Sequence, residues 1–483
     1  MRQLLILTLL AALISPAFGA EIVLVYPRTD SLGAVIEYDA ALDSTFLLGR
    51  VLPPRGELVI NGHTVALTSE GAFLAWLPIR RHPEPEEWLL RFQAVGGDSA
   101  TLRFPYAFAR TTKSVDTSAA PFSPRVVKIA ATNAQICTVP AGSYFVFPEL
   151  GCRVVATDHQ SGFFTVRLGD GLQAAVDERW VAVEQDSQLA PAMLRDGYCR
   201  SPCGFSECVL ALDRTVPWFA ELVDAGTTLQ VTLFDTKAAL NRVRYELDDP
   251  LLREIAWTQR PEGVALRLLG KRAFSHGYSI AYVNDSLRVL LRGASSTGRG
   301  SKGKTIVLDP GHGGSATGAV GPLGTKEKDV VLRLALLLEK ELKRSGANVM
   351  LTRRSDDDLG LYERTDLARQ AQADLLLSLH ANALPDGENP LTRNGSATYY
   401  YQPHSRAAAE VIHRHLLKAA ALRDDGLWYG NLALARPTEC PAMLVEVAYL
   451  VYPPEERLLR SDDFLRKLAK GLARGVREYF EIP

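Results

Sequence analysis

The chain has 483 residues, too many for a single hydrophobic core, so two to four domains are expected. Hydrophobic residues make up 47% and charged residues 23%, which excludes a chain disordered throughout. Lys and Arg number 54 against 55 Asp and Glu, so no overall field draws the protein to nucleic acid or to an anionic membrane.

The chain opens with "MRQLLILTLLAALISPAFGAE". Arg2, an apolar run from Leu4 to Ile14 and the small residues Ala17, Gly19 and Ala20 predict a secretory signal peptide over residues 1–20. The run is shorter than the roughly 20 apolar residues of a membrane span, and no later stretch reaches that length. A mature protein without a membrane span, in the periplasm or outside the cell, is the expectation.

Short alternating runs with turn signals follow over 21–110. Asn61-Gly62 in "GELVINGHTVALTSEGAFLAWLP" is a two-residue hairpin signal, and an immunoglobulin-like or related β-sandwich is predicted. "TTKSVDTSAAPFSP" (111–124) reads as a linker. Residues 125–185 are β-patterned again, most clearly in "FFTVRLGDGLQAAV", and resemble a bacterial SH3-like module. A further β-rich domain over 190–292 is drawn from "TTLQVTLF", "GVALRLL" and "SLRVLLR". Cys137 and Cys152 are spaced to bridge in an oxidising compartment. "CRSPCGFSEC" (Cys199, Cys203, Cys208) suggests a small loop disulfide, with a metal knuckle as the alternative, and Cys440 reads as a lone buried thiol.

"GASSTGRGSKGK" marks a flexible linker at 293–303, and the pattern then changes. Over 304–483 strand-like and helical runs alternate. "TIVLDP" precedes "EKDVVLRLALLLEKELKRSG", in which Val330, Leu334, Leu337, Leu338 and Leu342 keep helical spacing until Gly346. "NVMLTR", the helical "LYERTDLARQAQA", the strand "DLLLSLH", the strand "ATYYYQ" and the helix "SRAAAEVIHRHLLKAAAL" come next. "NLALAR", "PAMLVEVAYL" and a terminal helix complete the alternation. The predicted fold is therefore multidomain: all-β modules, then an α/β domain with a mostly parallel sheet flanked by helices.

In an open α/β sheet, ligands gather beyond the carboxyl ends of the strands. Three apolar strands end in or carry a chemically capable residue: His312, His380 and Glu446. Glu327 starts the first helix, on the same edge of the sheet. Two imidazoles and a carboxylate with one open position form a catalytic zinc site, and a carboxylate held off the metal can move protons. Each residue alone has a plainer reading, a hydrogen-bonded structural histidine or a helix-terminal acid. Glu446 is the hardest to explain that way, because a carboxylate among apolar strand residues costs several kcal/mol unless paired. His63, His82, His159, His276, His404, His413 and His415 are not expected to join the metal, and His413 and His415, two apart on a helix, cannot share a face.

The stretches "IVLDPGHGG", "GAVG", "GTKEKDVVL", "YERTDLA", "ADLLLSLHANA" and "PAMLVEVAYL", in this order, resemble the zinc-dependent N-acetylmuramoyl-L-alanine amidases that separate bacterial daughter cells. The resemblance covers residues 304–483. It implies His312, Glu327 and His380 as ligands of one Zn2+ per chain and Glu446 as general base. It also implies hydrolysis of the amide between the lactyl group of N-acetylmuramic acid and L-alanine in peptidoglycan. Asn382 and Arg364 are candidates for substrate contact or for orienting a ligand, and Arg364 reads equally as a solvated helix residue. The chain departs from the family pattern at Ala316, at Ala448-Tyr449 and at Gln370, which are read as shell and loop variation that touches neither the proposed ligands nor the base and bears on substrate fine-tuning. The 15 residues between Asn382 and Thr398 (383–397) leave no room for the inserted inhibitory helix of some members, so restraint of activity would fall to the upstream modules. The expected partners are peptidoglycan and an activator protein of the envelope or divisome, with no nucleic acid. Two other readings compete: an inactive wall-binding protein, and a zinc peptidase acting on stem peptides.

Overall fold

The computed structural model describes residues 19–27, 35–80, 86–109, 122–202, 205–284, 286–293 and 300–481. The expected signal peptide lies outside the described residues except at 19–20. So do most of the linker at 111–124, residues 294–299 of the second linker, His82 and Cys203.

Three β units precede the α/β domain. In the first, the three-stranded sheet Glu21–Tyr26, Ser44–Leu52 and Ala72–Pro78 faces a five-stranded sheet. Alternation places the two faces together. Along Glu86–Ala94, Trp88, Leu90, Phe92 and Ala94 point inward while Glu87, Arg91 and Gln93 point out. Asn61 and Gly62 both take positive φ (44° and 87°) and close a hairpin in which Ile60 faces His63. The second unit is a seven-stranded sheet over 125–183 with antiparallel pairings. The third, over 192–292, packs a six-stranded sheet on a four-stranded one around Leu210, Leu229, Val231, Leu266, Leu268 and Val289.

The expected Cys137–Cys152 bridge is not formed, and both are buried free thiols. Cys137 lies on Ile136–Cys137, and two strands of the sheet stand between that strand and Arg153–Gln160, which Cys152 precedes. At about 4.8 Å per strand this exceeds the reach of a disulfide. Cys199 and Cys208 oppose each other across an antiparallel pair, also as free thiols, with Sγ atoms 2.9 Å apart. Cys440 is buried and free.

The last domain carries strands β1 (Thr305–Pro310), β2 (Asn348–Leu351), β3 (Leu375–Asn382), β4 (Ser396–Tyr400), β5 (Asp424–Tyr429) and β6 (Ala442–Tyr449). Its helices are α1 (Glu327–Arg344), α2 (Leu361–Gln370), α3 (Arg406–Ala420), α4 (Pro453–Leu459) and α5 (Asp462–Tyr479). The strand order is β2-β1-β3-β6-β4-β5, parallel throughout except for the β4–β6 pair. β3 and β6 are buried on both faces, which is why they read as continuous apolar runs. Alternate residues of β1 feed two cores. Ile306 and Leu308 pack with α1, α3 and α5, whereas Val307 packs with Ala368 of α2, Leu434 and Ala442. Each fully buried Leu here contributes roughly 1.5–3 kcal/mol.

"NLALAR" is not a regular element. It holds a 3-10 turn at Ala433–Ala435, and the edge strand is β5, immediately upstream. The local run LALA fits a helix or a strand equally well, and Leu434 finds its place only by packing under the sheet.

The first unit docks beside the carboxyl edge of this sheet. Phe46 and Leu48 pack with Leu384, Tyr449 and Val451, and Tyr26 stacks on Phe46 with ring centres 4.7 Å apart. Thr45 Oγ1 donates to Asp386 Oδ1 (2.8 Å), and Arg50 donates to the Leu323 carbonyl (2.7 Å). The third unit docks through Tyr278 N–H to Thr438 O (2.7 Å) and Arg292 to Glu439 O (2.7 Å). The second touches through Gln135 to the Tyr362 hydroxyl (3.0 Å) and through Tyr144 and Phe147 under the Arg436 guanidinium. No helix among the described residues is long and apolar enough to cross a membrane.

Candidate active site

β1 delivers His312 through the turn Pro310-Gly311-His312. His312 has φ 59°, a left-handed conformation that costs a non-glycine residue of order 1–3 kcal/mol unless its surroundings fix it. Two buried arginines fix it here. Arg364 donates to Asp309 Oδ1 (2.8 Å), Pro310 O (2.9 Å) and His312 O (2.7 Å). Arg353 donates to Pro310 O (2.9 Å), Gly311 O (2.7 Å) and Lys328 O (2.9 Å). Asp309 also accepts from Thr352 (2.6 Å) and Ser378 (2.7 Å), which ties β1 to β3. Gly311 has no Cβ because the His380 ring fills that space.

Glu327, 4% exposed, begins α1 and reaches both imidazoles. Its Oε1 lies 2.9 Å from His380 Nδ1 and accepts the Ala381 N–H (3.1 Å). Its Oε2 lies 3.1 Å from His312 Nε2 and accepts the Ala319 N–H (2.8 Å). The His312 and His380 rings stand 5.0 Å apart at 79°. Burial alone would raise the Glu327 pKa, but hydrogen bonds from the two imidazoles outweigh it and hold the carboxyl well below the usual range. Burial pulls His380 down, and the same pair overcomes it and raises His380 to about 9.

One ligand atom from each of His312, Glu327 and His380 lies within 4.8 Å of the others. A tetrahedral zinc with ligand bonds near 2.0–2.2 Å needs donors about 3.3 Å apart, so the three residues fit such an ion with little movement. Their protons would leave on metal binding.

Glu446 is the register partner of His380 across the parallel β3–β6 pair. It is partly open, yet its Oε2 is buried with no hydrogen-bond partner. Burial pushes its pKa up to about 8, with His380 opposing and Glu327 adding to the rise. An orphaned carboxylate oxygen costs about 1–3 kcal/mol or more, which a water or a ligand would relieve.

Four of the six candidate residues therefore meet at one place. Asn382 is half-buried at the end of β3, and its carbonyl accepts from the Leu450 N–H (2.9 Å). Arg364 is 5% exposed, so it is not a solvated helix residue. It holds the His312 turn from behind. Sequence reasoning passed over Asp309 and Arg353, although an acid inside "TIVLDP" carried the same signal as the one inside "PAMLVEV". Three other histidines pair elsewhere: His413 with Thr398 (3.1 Å) and Asp424 (3.0 Å), His415 with Glu478 (2.7 Å), and His159 with Glu178 (2.8 Å).

An α/β sheet that presents two histidines, a bridging carboxylate and a second, free carboxylate at one edge has the arrangement used by metal-assisted hydrolases. Residues 306–478 match the profile of the N-acetylmuramoyl-L-alanine amidase family, so the chain carries a domain of that family. It is 34% identical over 181 residues to a probable cell wall amidase, LytH, of Staphylococcus aureus, across 37% of this chain and 59% of the relative. The chain thus spans 59% of the length of that curated relative. Among solved structures it is similar to the catalytic domain of CwlV, an N-acetylmuramoyl-L-alanine amidase from Bacillus (Paenibacillus) polymyxa var. colistinus. That match has 38% identity over 37% of this chain and 99% of the other, with a TM-score of 0.35. It is also similar to the amidase AmiC2 of Nostoc punctiforme, at 31% identity over 38% and 98% of the two chains, with a TM-score of 0.35.

Proposed function

We propose that the protein is a zinc-dependent N-acetylmuramoyl-L-alanine amidase, hydrolysing the amide between the lactyl group of N-acetylmuramic acid and L-alanine of the peptide stem. The observation that carries this reading is the His312–Glu327–His380 cluster with the unpartnered Glu446 oxygen beside it. His312, Glu327 and His380 hold one Zn2+, which when bound supplies a Lewis acid and an acidified water. Glu446 accepts the proton of the attacking water and returns it to the departing alanine nitrogen. Burial favours the protonated form of this carboxyl, which helps it hold the proton between the two steps. Arg364, Arg353 and Asp309 keep His312 in its left-handed conformation, and Asn382 lines the far end of β3 for substrate contact.

In the same reading the chain is exported by residues 1–20 to the periplasm or cell exterior and acts on peptidoglycan during cell-wall turnover and division. The modules at 21–110 (immunoglobulin-like), 125–185 (SH3-like) and 190–292, joined by the 293–303 linker to the catalytic domain at 304–483, hold it to the wall or to an envelope or divisome activator. Digestion of purified sacculi by the full mature chain, read by mass spectrometry, tests the proposal. Free stem peptides and intact glycan support it. Loss of single terminal amino acids would make the chain a peptidase, and no release with zinc present would leave a wall-binding protein.

A further inference from the structure

We infer that Tyr399 and Trp428 form the subsite that receives the sugar ring on the acyl side of the scissile amide, an inference that rests on the proposed amidase activity. Ala397 on β4 lies opposite Glu446 on β6, so two residues further on Tyr399 stands on the Glu446 face of the sheet. Trp428 on β5 is the register partner of Tyr399, and the two rings lie 6.4 Å apart and nearly parallel at 17°. The pair therefore continues the active-site face by one and two strands towards the open edge of the sheet.

Trp428 is held in place and partly exposed. Its indole N–H donates to the Asp425 carbonyl (2.7 Å), and the Arg393 guanidinium stacks 5.7 Å from its ring centre, yet the residue is 43% exposed. Tyr399 sits within electrostatic reach of the catalytic carboxylate. Burial raises the pKa of its phenol, the charge of Glu446 adds to the rise, and Arg393 opposes it.

The chemistry of the surface selects its occupant. The scissile amide has a pyranose on its acyl side and a peptide with acidic groups on its amine side. A pyranose offers a face of C–H bonds to a flat aromatic ring and hydroxyl and acetamido groups to a phenol. A stem-peptide carboxylate would need a free cation, but Arg393 already lies 3.4 Å from Glu388 and 3.7 Å from Asp425. The surface is aromatic and charge-neutralised, which favours the sugar.

The test uses the full chain and two substrates, N-acetylmuramoyl-L-alanine and D-lactoyl-L-alanine, which differ only in the pyranose. Trp428→Ala should raise KM for the first roughly tenfold, with kcat within about twofold and the second substrate unaffected. Trp428→Phe, which keeps a flat ring, should recover most of the loss and so controls for misfolding. Equal effects on both substrates, or no effect on the muramoyl substrate, would overturn the subsite. Calorimetric binding of N-acetylmuramoyl-L-alanine to the Glu446→Gln chain, with and without Trp428→Ala, reads the subsite without turnover. Unaltered chain that releases no stem peptide from sacculi with zinc present sinks the amidase reading alone. An affinity that Trp428→Ala leaves unchanged sinks the subsite alone.

Discussion

His380 and Glu446 face each other across two parallel strands, in register, at the edge where both strands run out. A one-residue slip of β6 would turn Glu446 to the opposite face and put Val445 or Val447 beside the imidazole. Because the register places Glu446 beside the cluster and outside its hydrogen bonds, Glu446→Gln should retain one zinc per chain and lose roughly 10²–10⁴-fold in muropeptide release. Elemental analysis together with a release assay checks both halves. A variant that loses its zinc would make Glu446 a ligand instead of a base.

His312→Ala and His380→Ala should each abolish stoichiometric zinc binding, and a chelator should do the same to the unaltered chain. Loaded protein should also melt higher, since free zinc at 100 times its dissociation constant adds about 2.7 kcal/mol to folding. Calorimetry before and after chelation, with zinc restored, measures this. An unchanged melting temperature and undiminished activity would refute a metal site at the cluster.

Arg364→Ala should destabilise the last domain by about 3–5 kcal/mol, because it leaves the buried Asp309 carboxylate, 1% exposed at its side chain, without its ion-pair partner. Arg364→Lys should rescue little, since one ammonium cannot span Asp309, Pro310 and His312 together. Denaturant unfolding reports the loss. A residue that only touched substrate would show normal stability and a raised KM.

Phe46→Ala should loosen the first β unit from the catalytic domain by about 3–5 kcal/mol, since Phe46 is 1% exposed in the shared cluster with Leu384 and Tyr449. Scanning calorimetry should then resolve a separate early transition for that unit. A single transition lowered as a whole would show that the two parts unfold together regardless of this contact.

Glu455 gives a pH signature. Burial pushes it up to about 7 from 4.5, against the backbone N–H groups of Tyr449 and Gly395 that favour its charged form. A carboxyl whose pKa is raised by folding binds its proton more tightly in the native state. Its contribution is therefore complete below pH 4.5 and is lost as pH rises through 7, by at most on the order of 3 kcal/mol. Glu455→Gln should flatten the stability profile between pH 5 and 8 relative to the unaltered chain. Parallel profiles for the two proteins would show that Glu455 does not titrate in that window.

The sequence by itself determined the secondary-structure grammar of the last domain and four residues at its edge. Apolar runs that stop at a polar residue fix both a strand and what its end presents, and those signals are local. The hairpin at Asn61-Gly62 was legible for the same reason, since two positive φ angles need particular residues. Only the tertiary structure decided what depends on distant segments meeting. It put Arg364 behind the His312 turn, left two strands between Cys137 and the segment that follows Cys152, made Asp424–Tyr429 the edge strand, and set Phe46 against Leu384 and Tyr449. Periodicity says which face of an element is buried. What it is buried against is settled by packing across hundreds of residues, and no local pattern carries that information.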